Sequence, residues 1–406
     1  MSITRRGIPE GEEHADEKEY EMKDFEFKVP QTIKFGAGSL KEIPEIVKQE
    51  MKTDKVFLVS DRGLESIGVV KKVVDLIEAA GVSCDCFLDV VPNPTVSCVK
   101  EAVAKYRESG AGCIVALGGG SPMDVAKAVG VLATYGGEIQ QYVGTGKVPG
   151  TITPIIAVPT TAGTGSEVTA SAVITDEVTN FKMSVFSYEQ IPKFAVLDPE
   201  LIMTAPASVA ASCGIDALIH AMEAYVSNNA TPFSDAMAEK AMELIGKNLR
   251  RFTANRKDPE AAGAMMLGSN FAGISFAWAR LGDVHALSHP VSGHFHVAHG
   301  VANAILLPYV AEFNAIADHD GKYEKIYRYI REEKGAVENF VPMMLVDELK
   351  KLNRQLGIPE KLSDVGVTED KIDVMAEDAM KGQANIMANP RQTTLKDCVM
   401  LYKKAL

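Results

Sequence analysis

Apolar positions along this chain follow two patterns, and the change between them falls near residue 200. In the first half, short apolar runs alternate with amphipathic stretches. KVFLVS (55–60) is a compact run ending in a polar turn, and the helical pattern VVKKVVDLIEAAG that follows stops at Gly81. CDCFLDVV (84–91) reads as a strand ended by the breaker PNPT, and CVKEAVAKYRESG (98–110) as an amphipathic helix with a glycine stop. CIVALGGG (113–120) is a strand running into glycines, SPMDVAKAVGVLAT opens a helix, and PIIAVPTT (154–161) is a further buried strand. This alternation predicts an α/β domain on a parallel, doubly wound sheet.

After Pro199 the texture changes. ASVAASCGIDALIHAMEAYVS, SDAMAEKAMELIGKNLRRFTA and PEAAGAMMLGSNFAGISFAWARL are rich in Ala, Met and Leu, with apolar residues recurring at three and four. AVLDPELIMTAP (195–206) is expected to be the connection. The predicted organisation is a flexible polar tail over 1–24, an α/β domain over 25–199 and an all-α domain over 200–406. A length of 406 residues suits two or three domains, at about 150 residues each.

Composition narrows the function. Hydrophobic residues make up 46% and charged residues 24%, which is ordinary globular usage. The net charge of −12 argues against a nucleic-acid partner. No uninterrupted apolar run approaches the roughly 20 residues of a bilayer span, and the polar N-terminus has no signal-like apolar region. The six cysteines (84, 86, 98, 113, 213 and 398) form no CxxC pair. Reduced, mostly buried thiols and a cytoplasmic location are the expectation.

Three turns of the first half offer chemistry. In LGGGSPMDVAKA, Gly118, Gly119 and Gly120 let backbone approach a ligand, Ser121 is expected to cap the next helix, and Pro122 to open it. The helix start then faces any phosphate bound there. The same turn also works as a tight strand-to-helix connection with no ligand. Asp61 ends the KVFLVS strand, where a carboxylate can bond ribose hydroxyls and disfavour a 2′-phosphate; the alternative is a helix-capping aspartate. PTTAGTGSEVT (159–169) presents Thr160, Thr161, Thr164 and Ser166 hydroxyls, for phosphate or amide groups or simply in a surface loop.

Of eight histidines, five fall within DVHALSHPVSGHFHVAHG: His285, His289, His294, His296 and His299. His285 and His289 are four apart, so they share a helical face, and Pro290 is expected to end that helix. His299 follows in a glycine-rich turn. In GIDALIHAMEAYV, Asp216 and His220 are also four apart, on a helix whose other residues are apolar. A buried Asp and His need partners. They can supply each other, or join two histidines of the cluster around a metal. Three imidazoles and one carboxylate suit Fe(II) or Zn(II), not Mg or Ca.

Together these motifs resemble the iron-containing (group III) alcohol dehydrogenase family. The likeness runs from FEFKVPQTIKFGAGSL through VPNPT, GGGSPMDVAKA, PTTAGTGSEVT, GIDALIHAMEAYVS and HALSHPVSGHFHVAHGVANAILLP to NPRQTTLKD, nearly the whole chain. The resemblance implies a Rossmann-like N-terminal domain, an all-α C-terminal domain and a cleft between them. It implies metal ligands at Asp216, His220, His285 and His299, holding Fe2+ or alternatively Zn2+. It places His289 near the nicotinamide and the substrate as a proton relay. NAD would meet Gly118, Gly119, Gly120 and Ser121 at its pyrophosphate, Asp61 at its adenosine ribose, and Thr160, Thr161 and Thr164 at its phosphates and nicotinamide ribose. The implied reaction is hydride transfer between nicotinamide and a short primary alcohol or aldehyde. Family habit adds a homodimer or higher homo-oligomer; no role is assigned to His294, and His296 has a counterpart only in some subfamilies.

The helix before His285 departs from the family pattern. It reads AGISFAWARLGDVH where relatives read like AGIAFSNAGLGLVH, so Trp278 stands for a small polar residue, Arg280 for glycine and Asp283 for an apolar residue. Phe276 and Arg280 are expected on one helical face, with Ser171 completing the substrate contacts. Arginine suits a bidentate grip on a carboxylate or sulfonate. An anionic aldehyde such as sulfoacetaldehyde or succinate semialdehyde is therefore one expected substrate. The alternative pairs Arg280 with Asp283 and leaves a broad, neutral short-chain alcohol or diol dehydrogenase. Ala298 replaces a proline that often precedes the last ligand histidine. A remoter alternative is a lyase resembling dehydroquinate synthase, against which Asp216 with three histidines speaks.

Overall fold

The computed structural model describes residues 31–179, 181–333 and 335–406. The tail expected over 1–24 lies outside the described residues. Nine strands are described: β1 (Thr32–Phe35), β2 (Lys55–Val59), β3 (Ser83–Phe87), β4 (Cys113–Gly118), β5 (Gly144–Thr145), β6 (Ile155–Pro159), β7 (Ser171–Asp176), β8 (Phe181–Phe186) and β9 (Phe194–Leu197). Six of them form a sheet of order β1-β9-β6-β4-β2-β3, parallel throughout. Every residue of β4 and β6 is buried, as a parallel sheet covered on both faces requires. Along β2, Val56 and Leu58 enter one apolar cluster while Phe57 and Val59 enter another.

Helices α1 (Val69–Ala79), α2 (Val96–Ser109) and α3 (Gly120–Tyr135) are the crossovers. Thr95 caps α2, its side chain accepting from the Cys98 N–H, and Gly110 closes it at φ 66°, a left-handed position suited to glycine. The chain steps outward from β2 to β3 and then returns to β4 on the other side of β2. The carboxyl ends of β2 and β4 thus flank a topological switch point, where open α/β sheets bind ligands.

Two parts of the sheet region were not foreseen. Residues 194–197 are β9, inside the sheet between β1 and β6, rather than the start of a connection. Four buried residues carry no alternation to read. Strands β7 and β8 form an antiparallel hairpin, joined along one edge by β5.

Among the described residues, every strand lies before Asp198, and long helices fill the remainder. They include α4 (Ala207–Val226), α5 (Pro232–Ala254), α6 (Pro259–Ala279), α7 (Asp283–Phe295) and α8 (His299–Asn314). These pack around one apolar core with Ile215, Leu218, Met242, Met265, Leu287 and Leu306 fully or almost fully buried. Two stretches, Ala207–Val226 and His299–Ala317, are long and apolar enough to cross a membrane by length and composition, yet their apolar windows are 78% and 61% buried within the molecule. Pro290 does not end α7, which continues to Phe295 with the proline inside it. The missing N–H forfeits one bond to Ala286, and tertiary packing of buried Leu287 and Val291 carries the helix through.

Candidate active site

Asp216 and His220 lie one turn apart on α4. His285 is in the first turn of α7, and His299 is the first residue of α8 rather than part of a loop. Gly300 lets α8 approach α4: a Cβ there would lie 2.0 Å from the carbonyl oxygen of Ser212. This contact brings His299 to Asp216. The Asp216 Oδ1 atom is 3.8 Å from His220 Nε2, 3.7 Å from His285 Nε2 and 3.9 Å from His299 Nε2. Such spacings exceed a hydrogen bond and set three imidazole nitrogens around one carboxylate oxygen. Ligand atoms of Asp216, His220 and His285 all lie within 4.8 Å of one another, and all three residues are buried. The donor set is the N3O type that suits iron or zinc. The His299 side chain is 35% exposed, so the cluster opens on that side.

The far nitrogens of two rings are held. His220 Nδ1 lies 3.1 Å from the carbonyl oxygen of Gly163, and His285 Nδ1 lies 2.5 Å from Glu223 Oε2. Both acceptors hold a ring proton on Nδ1, which in the neutral imidazole leaves the Nε2 lone pair facing Asp216. Burial lowers His220 to about 4 and His299 to about 3, so both imidazoles are neutral at pH 7, the form in which an imidazole can bind a metal. Burial also opposes charge on His285, but the Glu223 and Asp216 carboxylates prevail and raise it to about 9. Burial likewise pushes the Asp216 carboxyl up, and the surrounding imidazoles outweigh it, leaving it below the usual range.

Asn303 was not singled out from sequence. It follows His299 by four residues on α8, and its Nδ2 donates to Asp216 Oδ1 at 2.6 Å while lying 3.1 Å from both His285 Nε2 and His299 Nε2. Its Oδ1 is buried with no partner among the described residues. His289 stacks on His299 with ring centroids 5.4 Å apart. It is exposed, and desolvation, followed by the neighbouring His299 and His285, holds its pKa well below the ordinary value.

The nucleotide candidates converge at the switch point. Gly118 ends β4, and its carbonyl accepts from the Thr160 N–H at 3.0 Å. A Cβ on Gly119 would stand 3.4 Å from Thr161 Oγ1, and one on Gly120 3.3 Å from Thr164 Cγ2. Gly119 is the N-cap of α3, so Ser121 and Pro122 lie within its first turn and not at the cap and first position expected of them. No side chain caps this helix, and Thr161 Oγ1 is buried without a partner among the described residues. Unbonded N–H groups at the start of a 16-residue helix, beside an unsatisfied hydroxyl, fit a phosphate. Asp61 stands just past β2 and caps the short helix Arg62–Ser66, its Oδ1 accepting from the Leu64 N–H at 3.0 Å.

Two charged residues of GGGSPMDVAKA pin the threonine loop. Buried Lys127 donates to Ser166 Oγ at 3.0 Å, Thr169 Oγ1 at 3.1 Å and the Ser171 carbonyl at 2.8 Å. Asp124 accepts from Ser166 Oγ at 3.0 Å and the Val173 N–H at 3.1 Å. Burial brings Lys127 down to about 8 and Asp124 up to about 6.

Phe276 packs its ring 4.5 Å from that of His220, against the metal cluster. Arg280 does not continue that helical face. It caps α6 at φ 68°, ψ 178°, a region suited to glycine. Its guanidinium lies 4.3 Å above the Phe186 ring, and Phe186 is the strand partner of Ser171. Ser171 Oγ lies 3.1 Å from Ser184 Oγ. Trp278 stacks on Tyr188 with centroids 4.8 Å apart. The alternative Arg280–Asp283 pair is not formed: Asp283 is fully buried and accepts from Thr393 Oγ1 at 2.5 Å.

Family models match both halves of the chain: iron-containing alcohol dehydrogenase over residues 30–199, and the C-terminal part of the Fe-containing alcohol dehydrogenase family over 210–406. The chain is 36% identical over 381 residues to the NAD-dependent methanol dehydrogenase of Bacillus methanolicus, covering 94% of this chain and 99% of that protein. It superposes on 1,3-propanediol oxidoreductase with a TM-score of 0.91 at 36% identity, over 95% of this chain and 100% of that one. With the sulfoacetaldehyde reductase of Bifidobacterium kashiwanohense, solved with NAD+, the TM-score is 0.85 at 31% identity, over 94% and 99% of the two chains. With family models matched over both halves of the chain and relatives of 36% identity covered almost end to end, this chain belongs to the iron-containing alcohol dehydrogenase family.

Proposed function

We propose that this chain is a metal-dependent, NAD(H)-linked alcohol dehydrogenase that interconverts short primary alcohols and aldehydes. The observation that carries this reading is the cluster of Asp216, His220, His285 and His299, whose Nε2 atoms converge on one carboxylate oxygen. Bound iron, or zinc in the same donors, supplies Lewis acidity to the substrate oxygen, and NAD(H) supplies the hydride chemistry. The chain's own residues do the rest. Gly118, Gly119, Gly120, Ser121 and Thr161 receive the pyrophosphate at the start of α3. Thr160 and Thr164 line the approach to the nicotinamide ribose, and Asp61 stands at the ribose end. Phe276 packs against His220 and closes the metal cluster to water on that side. His289, beside His299, exchanges a proton between the substrate oxygen and the cleft.

The substrate of this reading is an aldehyde bearing an anionic group, with Arg280 as its anchor. Among the described residues the Arg280 guanidinium meets the Phe186 ring rather than a carboxylate, and the residue sits at a backbone conformation that favours glycine. The similarity to a sulfoacetaldehyde reductase points the same way. Its stacking on Phe186 favours the second reading, a wall residue in an enzyme for neutral short alcohols or diols. NADH oxidation by the iron-loaded enzyme with two aldehydes of similar size, one neutral and one anionic, separates them. Arg280→Ala should raise KM for the anionic aldehyde and spare the neutral one; equal effects on both would return Arg280 to the wall.

A further inference from the structure

Glu223 lies on α4 three residues after His220 and seven after Asp216, on the face that carries both. Its carboxylate is buried between two donors. Oε2 meets His285 Nδ1 at 2.5 Å, and Oε1 accepts from the Val284 N–H at 2.7 Å. Val284 is in the first turn of α7, whose unbonded N–H groups favour an anion. The NPRQTT segment braces the same turn from outside: Asn389 Oδ1 accepts from the Asp283 N–H at 3.3 Å and from Asn314 Nδ2 at 2.9 Å.

We propose that Glu223 is a positioning residue for the metal cluster, holding His285 in the tautomer and orientation that aim its Nε2 at Asp216. This rests on the metal reading given above. Two donors face the side chain, so both of its oxygens must accept, and only a carboxylate does this. A glutamine of the same shape offers one acceptor and one donor. Its favourable placement sets the amide oxygen on the Val284 N–H and turns the amide N–H toward His285 Nδ1. Nδ1 must then accept, and the ring proton moves to Nε2, where the lone pair was needed. Glu223→Gln therefore keeps the packing and inverts the imidazole.

The test is the Zn2+ affinity of the metal-free full-length protein, by competition with a chromophoric chelator. It compares wild type, Glu223→Gln, His285→Ala and the double variant, with circular dichroism to follow folding. Glu223→Gln should stay folded and bind Zn2+ about 10- to 100-fold more weakly. In the His285→Ala background the same change should cost almost nothing further, because its effect passes through that ring. Unchanged affinity, an equal loss in both backgrounds, or a Glu223→Gln protein that fails to fold without metal would overturn the proposal. Failure of wild type itself to bind Zn2+ or Fe2+ would instead remove the metal reading on which it rests.

Discussion

His220 donates from Nδ1 to the carbonyl oxygen of Gly163 across 3.1 Å, so an imidazole of the candidate metal cluster hangs on the threonine loop of the candidate nucleotide site. The two sites share one backbone segment. A Cβ on Gly163 would stand 2.8 Å from the Cys213 Cβ and 3.0 Å from its Cα, so Gly163→Ala must lift the loop from α4. We predict that this variant weakens Zn2+ and NADH binding together, each by about fivefold or more. Metal titration and NADH fluorescence check it; loss of one affinity alone would show that the sites are independent.

Thr161 offers a sign test for the phosphate cradle. Its buried Oγ1 lacks a partner among the described residues, so Thr161→Val should leave the free protein as stable or more stable. NADH should nevertheless bind about 3- to 10-fold more weakly, for loss of one hydrogen bond of about 1 kcal/mol. A stability loss with unchanged NADH affinity would place the hydroxyl in the fold instead.

Asp283 makes stability depend on pH. Burial raises its carboxyl to about 7. Between its ordinary value near 3.8 and about 7 the folded protein holds more protons than the unfolded one, so this group lowers stability as pH rises through that window. Asp283→Asn removes the titration. Its urea midpoint relative to wild type should therefore improve from pH 4 to pH 7 and then level off. A difference that is constant with pH would contradict the assignment.

Arg280→Gly and Arg280→Ala both remove the guanidinium, but only glycine is at ease at φ 68°, ψ 178°. The glycine variant should exceed the alanine variant in stability by about 1–2 kcal/mol in urea unfolding. Both should raise KM for an anionic aldehyde alike. A different KM for the two would mean that the backbone at this position, rather than the charge, sets specificity.

Strong local patterns were legible in the sequence. The alternation from 55 to 161 marks four of the five strands that the six-stranded sheet takes from residues 55–197, and the i, i+4 spacing of Asp216 and His220 puts them on one helical face as found. Where a segment is short or wholly buried, pattern carries little. Strand β9 has four buried residues and no alternation, and Pro290 sits in a helix that tertiary packing sustains. Glu223 and Asn303 were passed over because each resembles an ordinary helical polar residue. Their signal was spacing, three after His220 and four after His299, which places each on its ligand's face. Arg280 was expected to share a face with Phe276, but the helix ends at Ala279 and leaves the arginine as its cap.

We propose that Asp216, His220, His285 and His299 hold a divalent metal on which NADH-linked aldehyde reduction depends. The most direct measurement is metal content per chain alongside NADH oxidation with a short aldehyde, for wild type and Asp216→Ala, before chelation, after chelation and after Fe2+ is restored. The expected result is one metal per wild-type chain, activity that disappears with chelation and returns with Fe2+, and an Asp216→Ala protein that is folded but at least about a hundredfold weaker in metal affinity. Wild-type activity that survives complete metal removal would contradict it.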